Sequence, residues 1–339
     1  MSSRYPWSWY SDPVVLAAER ERIFRGAWHY VGHVGRLAAP GTFFACKTGG
    51  LPVVVTRDRD DKLRAFVNVC LHRGAEIAEG EGCRETLQCP YHAWTYGLDG
   101  RLRSAPRADE LDLDGLALVQ LRLDQWGPFL FACADHGAAF PLAGLRLPFD
   151  PAALVFRERV DYALDANWKI AVENYLECYH CPTAHPAFSR LVDVDPYAYR
   201  LEGGEAVWSQ FGQARHGGGE CVFHLVWPTL KINVYPGFPN LSIGPVWPES
   251  PGHTAGFLDY FFGAGVDEEW ARELIEFDDQ VGREDTALVE SVQRGVSAGL
   301  VENGLLMPKS ERLIDDFQRK VVESLTLVPP EAGSGCYLP

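Results

Sequence analysis

The sequence predicts an α+β protein in three stretches. A helical segment (1–40) packs on the third stretch, an all-β domain follows (41–145), and the third (146–339) covers an antiparallel sheet with helices. Three observations predict it. Short β-rich runs such as LPVVVT, LRAFVNV and PFLFAC crowd the stretch from Gly41 to Phe131 between GG, DRDD, GEG and LDG turns. Apolar residues recur at helical spacing over about 267–298 and 308–324. The Pro- and Gly-containing run PLAGLRLPFDP (141–151) separates the two patterns.

The first element is an amphipathic helix over 11–29, with Ser11 or Asp12 as its cap and Pro13 in its first turn. After the β-rich stretch the chain gives a helix at about 166–180 and strands between about 197 and 263. The tail EAGSGCYLP reads as poorly ordered or as an arm on a neighbour. No internal repeat or low-complexity segment is evident.

Bulk properties narrow the function classes. A chain of 339 residues, 47% hydrophobic and 23% charged, is long enough for two cores. A net charge of −15 leaves no basic surplus to neutralise phosphates, which argues against a nucleic-acid partner. The first thirty residues lack the apolar run of a signal peptide, and no stretch is long enough to span a bilayer. Nine cysteines, an odd number without such a signal, read as reduced thiols and metal ligands in the cytoplasm rather than as a disulfide framework.

Four metal-ligand residues stand in the β-rich part: Cys70-x-His72 and Cys89-x-x-His92, each pair on a tight turn between strands. A [2Fe–2S] cluster takes four ligands on two irons, and two neutral imidazoles on one iron raise its potential, to roughly −150 to +300 mV. A structural zinc site suits the same four residues. Against zinc stands the context, since no recognition helix follows. Trp94 and Tyr96 read as core packing, and Cys83 as an ordinary buried thiol.

The segment NWKIAVENYLECYHCPTAHPAF (167–188) places Glu173, Asn174, Glu177 and His180 at three- and four-residue spacing, on one helix face. Such groups are costly to bury unless they bind a metal or one another. Cys181-Pro182 ends or kinks the helix, so His185 can join His180 at one metal. Two His and a carboxylate form a facial triad that leaves iron positions open. The candidate carboxylate is Asp285, beside an apolar stripe of Val281, Leu288, Val289 and Val292, although the helix taken alone makes it a surface acid; Asp278, Asp279 and Glu284 read as solvated. Trp208, Phe211, Phe223, Trp227 and Tyr235 are candidates for a pocket wall or for sheet core.

These motifs resemble those of the Rieske non-haem iron oxygenases, the ring-hydroxylating oxygenase alpha-subunit family, and the resemblance covers nearly the whole chain. Its carriers are C-x-H…C-x-x-H with the Trp94-x-Tyr96 hairpin, the N-W-K…E-N-x-x-E-x-x-H-x-x-x-x-H run, and E-D followed by V-E-S-V-Q-R-G. It is closest to the carnitine and quaternary-ammonium monooxygenase branch, which shares Glu177 where most members have Asp.

The resemblance implies a helix-grip catalytic domain and a Rieske [2Fe–2S] cluster with Cys70 and Cys89 on the inner iron and His72 and His92 on the outer. Arg73, Gly74, Tyr91 and Trp94 would shape the cluster loops. It implies a mononuclear Fe(II) on His180, His185 and Asp285, and a homotrimer in which Glu177 links His92 of one subunit to His180 of the next. Dioxygen, a small-molecule substrate, and a flavin/[2Fe–2S] reductase or ferredoxin drawing on NAD(P)H complete the system. The alternatives are an aromatic or carboxylated substrate on the same scaffold, or a non-enzymatic Rieske carrier or zinc-stabilised binding protein.

Overall fold

The computed structural model describes residues 1–195 and 200–326. The expected C-terminal arm and the first of the expected strand residues, 197–199, lie outside the described residues.

Asp12 caps α1 (Pro13–Glu19): its carboxylate accepts from Val14 N at 2.7 Å, and Pro13 opens the first turn. A π-turn, Arg20–Phe24, follows, so the helix is shorter than its apolar spacing suggested. β1 (His29–His33) already belongs to the first sheet, before the expected start near residue 41, because it pairs with a strand a hundred residues on. That sheet also holds β2 (Thr42–Thr48), β3 (Leu51–Arg57), β4 (Leu63–Val67) and β5 (Glu81–Cys83). A three-stranded sheet of β6 (Thr86–Gln88), β7 (Thr95–Gly97) and β8 (Leu102–Ser104) stands beside it. β9 (Gln120–Trp126) and β10 (Phe129–Cys133) complete the seven-stranded antiparallel order β1-β10-β9-β4-β3-β2-β5. Cys83 is exposed rather than buried, because it ends the short edge strand.

β10 is buried throughout, which explains its unbroken FLFAC run. Leu130 and Ala132 face the core of the β-rich part; Phe129, Phe131 and Cys133 face the larger sheet behind it. That larger sheet opens with β11 (Leu154–Leu164), a strand whose charges hid it in the sequence. The chain then forms α2 (Trp168–Tyr175), capped by Asn167, and two short helices, α3 (Cys181–Ala184) and α4 (Pro186–Leu191). Next come β12 (Val192–Asp193), β13 (Arg200–Glu202), β14 (Val207–Ala214), β15 (Glu220–Val226) and β16 (Leu230–Val234). The long hairpin β17 (Asn240–Ser250) and β18 (His253–Gly263) leads to α5 (Glu268–Val296) and α6 (Arg312–Thr326).

The order is β11-β18-β17-β16-β15-β14-β12, with β13 beside β14 and all pairs antiparallel. One face packs on β1 and β10 through Ile232, Ile243 and Phe261, while the other faces α2 and α5. Among the described residues no helix is long and apolar enough to cross a membrane.

Three local expectations are corrected. α2 stops at Tyr175, and Pro182 sits in the first turn of α3, so the proline starts a helix instead of ending one. Cys178 and Cys181 are joined as a disulfide, against the reading of all thiols as reduced; the turn between α2 and α3 brings their Cα atoms to 4.9 Å. On α5, Leu288 and Val292 are exposed at 37% and 48%, and the inward face runs through Ile275, Asp278, Val289, Gln293 and Val296.

Candidate active site

The first group sits on two loops of the β-rich part. Gly74 and Ala93 take positive φ values of 78° and 59°, and their amides donate to Cys70 O at 2.9 Å and Cys89 O at 3.1 Å, closing matching turns. The turns hold both cysteine sulfurs inside and both imidazoles at the surface: Cys70 and Cys89 are 2% exposed, His72 and His92 open to solvent. The imidazole centroids lie 4.6 Å apart, and His72 stacks on buried Trp94 at 5.0 Å. Tyr96 hydroxyl lies 3.5 Å from Cys70 Sγ and accepts from Leu71 N at 3.1 Å. Burial pushes that hydroxyl up, and the Cys70 sulfur adds to the effect. Trp94 and Tyr96 are thus core residues that also touch the ligands.

Four ligands of one tetrahedral zinc would crowd their donor atoms around a point about 2.0–2.3 Å from each. Among the described residues no three of these four do so; the three-residue grouping within 4.8 Å is His180, His185 and Asp285. A buried sulfur pair and an exposed imidazole pair, set apart, fit a two-iron cluster with mixed ligands.

The second group lies where α2, α3 and α5 meet over the large sheet. His180 Nε2 and His185 Nε2 are 3.1 Å apart, and Asp285 Oδ1 stands 3.0 Å from the second and 3.4 Å from the first. Each imidazole is backed at its other nitrogen: His180 Nδ1 by Glu177 Oε1, His185 Nδ1 by Glu284 Oε2 at 2.8 Å. A carboxylate that accepts a hydrogen bond from Nδ1–H keeps the proton on that nitrogen and leaves Nε2 of the neutral ring as a lone-pair donor. Two such donors and a carboxylate meeting at one point repel unless a cation lies between them, so the chemistry of the set fits a metal.

The set draws in positive charge. Burial opposes charge on His180, yet its hydrogen bonds to Asp285 and Glu177 hold its imidazole up at about 9, so a proton takes the place a metal ion would fill. Burial also opposes charge on Asp285, but His180, His185 and a hydrogen bond from Asn174 keep it well below the usual carboxylate range. Glu173 does not join the group; it takes hydrogen bonds from Tyr5 at 2.5 Å, Tyr10 at 2.7 Å and Gln318 at 3.1 Å, clamping the N-terminal segment and α6 onto α2.

Asp278 and Glu284, read as solvated, have partners. Asp278 is 8% exposed and accepts from Tyr235 at 2.5 Å, Tyr260 at 2.8 Å and Ser242 at 3.3 Å. A usable signal existed: Asp278 precedes Asp285 by seven residues, two helical turns, so both face inward together. The spacing of the 167–188 segment had set Asn174 on the His180 face, whereas nothing in the local sequence marked Glu284 as the partner of His185.

A cavity of about 190 Å³ opens onto His180, His185 and Asp285. That is below the roughly 300–1,000 Å³ of drug-sized sites and suits a small molecule. Of the five aromatic candidates, Phe223 and Tyr235 line it; Trp208 and Trp227 pack on α6 and Phe211 lies outside the pocket.

A Rieske-type cluster fold joined to an open two-histidine, one-carboxylate centre is the build of a terminal oxygenase. The Rieske [2Fe-2S] domain model matches residues 27–126, and the ring hydroxylating alpha subunit (catalytic domain) model matches 151–222 and 207–327. The chain belongs to the Rieske non-haem iron oxygenases, as an oxygenase subunit of the ring-hydroxylating alpha type, and takes a Rieske [2Fe–2S] cluster and a mononuclear iron.

The carnitine monooxygenase oxygenase subunit of Acinetobacter baumannii is 34% identical over 336 residues, covering 91% of this chain and 89% of its own. The chloroplastic choline monooxygenase of Spinacia oleracea is 31% identical over 340 residues, covering 92% and 76%. The solved structure of the quaternary ammonium Rieske monooxygenase CntA with its substrate gamma-butyrobetaine superposes with a TM-score of 0.82 at 32% identity, over 95% of both chains. The carrier and zinc-protein readings give way to an oxygen-incorporating oxidoreductase.

Proposed function

We propose that this oxygenase acts on a small quaternary ammonium compound, hydroxylating it next to nitrogen with the option of C–N cleavage. The observation that carries the reading is a small cavity that ends on His180, His185 and Asp285 and is walled near them by Phe188, Phe223 and Tyr235. Ring faces attract a cation that cannot donate hydrogen bonds, worth roughly 0.5–2 kcal/mol each. The named substrates of the carnitine and choline relatives have the same chemistry. A carboxylated or aromatic substrate remains the second reading, favoured by the cation Lys231 in the cavity wall.

In this reading Cys70 and Cys89 hold one cluster iron, His72 and His92 the other, and His180, His185 and Asp285 hold the mononuclear iron. The metals supply single-electron transfer and activation of dioxygen. The chain's own residues do the rest. Glu177 and Glu284 keep the Nδ1 protons of His180 and His185, fixing both rings. Asn174 fixes Asp285. The apolar wall keeps water from the reacting carbon.

A homotrimer with closed head-to-tail interfaces would bring one subunit's His92 against its neighbour's Glu177. In support, Tyr91 beside His92 and Tyr179 beside His180 are 54% and 59% exposed. A separate flavin/[2Fe–2S] reductase or ferredoxin, drawing on NAD(P)H, would supply the electrons.

The test is substrate-dependent oxygen uptake by the holoenzyme with a reductase, across gamma-butyrobetaine, L-carnitine, choline and aryl carboxylates. Uptake coupled to oxidised product is expected for at least one quaternary ammonium compound. Coupling for aryl carboxylates alone sinks the reading.

A further inference from the structure

The cavity wall is the concave face of the large sheet, with Val160 and Tyr162 on β11, Leu258 on β18, Val246 on β17 and Lys231 on β16. Lys231 is half-buried there. Its cross-strand partner on β17 is Gly244, and Tyr162 is paired with Gly256 on β18. A Cβ on Gly256 would come within 2.5 Å of the Tyr162 ring, so the glycine lets that ring lie flat along the sheet. The Lys231 ammonium rests over it, 4.7 Å from the centroid, and 5.7 Å from that of Tyr175.

Among the described residues no carboxylate pairs with Lys231. The buried acid Asp278, on the same wall, acts on Lys231 through space but spends its hydrogen bonds on Tyr235, Tyr260 and Ser242. The ring faces are therefore the direct partners of a cation in a largely apolar pocket. A cation held this way also takes the Tyr162 and Tyr175 faces that a ligand's ammonium would otherwise seek.

Resting on the reading of this cavity as the substrate site, we propose that Lys231 is a specificity-determining residue that binds a carboxylate of the substrate. The substrate then has two ends, an acid on the sheet wall and the carbon to be oxidised at His180, His185 and Asp285. An ammonium presents a point charge to one carboxylate oxygen or both, and an ester or alcohol of the same shape forfeits that attraction.

The experiment is calorimetric binding to the reduced, iron-loaded holoenzyme under nitrogen, comparing gamma-butyrobetaine with its methyl ester, and benzoate with methyl benzoate. Wild type and Lys231→Arg should prefer the acid at least tenfold in whichever pair binds, and Lys231→Met should bring the ratio near one. Cluster absorption and melting temperature show that the variants fold. If neither member of the quaternary ammonium pair binds, the substrate reading above fails and the benzoate pair still decides Lys231. An acid-to-ester ratio unchanged in Lys231→Met, or a wild type that binds neither acid, overturns the assignment.

Discussion

His185 is flanked by two carboxylates with different roles, one on each ring nitrogen. Asp285 faces Nε2 at 3.0 Å and Glu284 faces Nδ1 at 2.8 Å. Replacing Asp285 by Ala should abolish iron retention and turnover with the Rieske absorption intact, whereas Glu284→Gln should keep turnover measurable and weaken iron binding roughly 10- to 100-fold. Metal analysis and visible spectra of both variants check this; equal losses would show that the two acids are not so divided. Glu177 gives a second contrast. Gln in its place keeps the size but adds donors beside His180 Nδ1. We expect Glu177→Gln to weaken iron binding to a like degree and, at matched metal content, to slow reoxidation of the reduced cluster by dioxygen in single turnover. Wild-type rates would reduce Glu177 to a residue that only orients His180. The cluster ligands were legible because each pair is a local motif on one turn. Asn174 was legible as a member of the His180 face, but Glu284 and Lys231 were not, since their roles come from where α5 and β16 lie relative to the histidines.

The elements show how function distorts hydrophobic pattern. On α5 the inward positions include Asp278, Asp285 and Gln293, so polarity at the working positions disguised the buried face while exposed Leu288 and Val292 imitated one. β11 was missed for the related reason that its outward residues are charged. The strongly patterned pieces, β2 to β4, β10 and α6, were legible because packing and periodicity agree there, whereas α5 was legible as a helix but not in its buried face. α1 is tied to α2 by a fully buried pair, Lys169 Nζ to Glu19 Oε1 at 2.6 Å, with Trp168 Nε1 donating to the same carboxylate at 2.7 Å. Burial pulls the Lys169 ammonium down while Glu19 holds it up. Removing the acid leaves a buried cation alone, so Glu19→Ala should cost about 3–5 kcal/mol. Chemical denaturation of the holoenzyme measures it, and a loss under 1 kcal/mol would mean that water or another group reaches Lys169.

At the scale of the whole molecule, each of the two candidate metal groups has an exposed residue at or beside it, although His185 itself is buried. The imidazole edge of the first is exposed, and Tyr179 beside the second is exposed too. On the proposal that the electron path crosses between subunits, its two halves can be separated genetically. Neither His92→Ala nor Asp285→Ala homo-oligomers should turn over. Co-expressed in equal amounts, they should recover roughly a quarter of wild-type activity in a head-to-tail trimer, because one junction in four joins an intact cluster to an intact iron site. No recovery in verified mixed oligomers would place the whole path within one chain. This level of organisation was the least legible in the sequence. The exposed Leu300 and Leu305, at 92% and 87%, look like ordinary loop residues until the packing around them is known.

The separation of the iron-site residues along the chain has a consequence for the lifetime of the protein. His185 and Asp285 are 100 residues apart, one at the junction of α3 and α4 and the other in the middle of α5. An ion gripped by both acts as a removable staple across that span, and its binding free energy adds to native stability by mass action. At a hundredfold excess over the dissociation constant the gain is about 2.7 kcal/mol. Anaerobic chelation should therefore lower the melting temperature and speed amide hydrogen exchange in residues 176–191 and around Asp285, with the Rieske absorption still present; unchanged exchange would show that the helices hold without the ion. A subunit stripped of iron then opens first where its chemistry is, and offers proteases that segment before any other, so that occupancy of the metal site sets how long each copy survives.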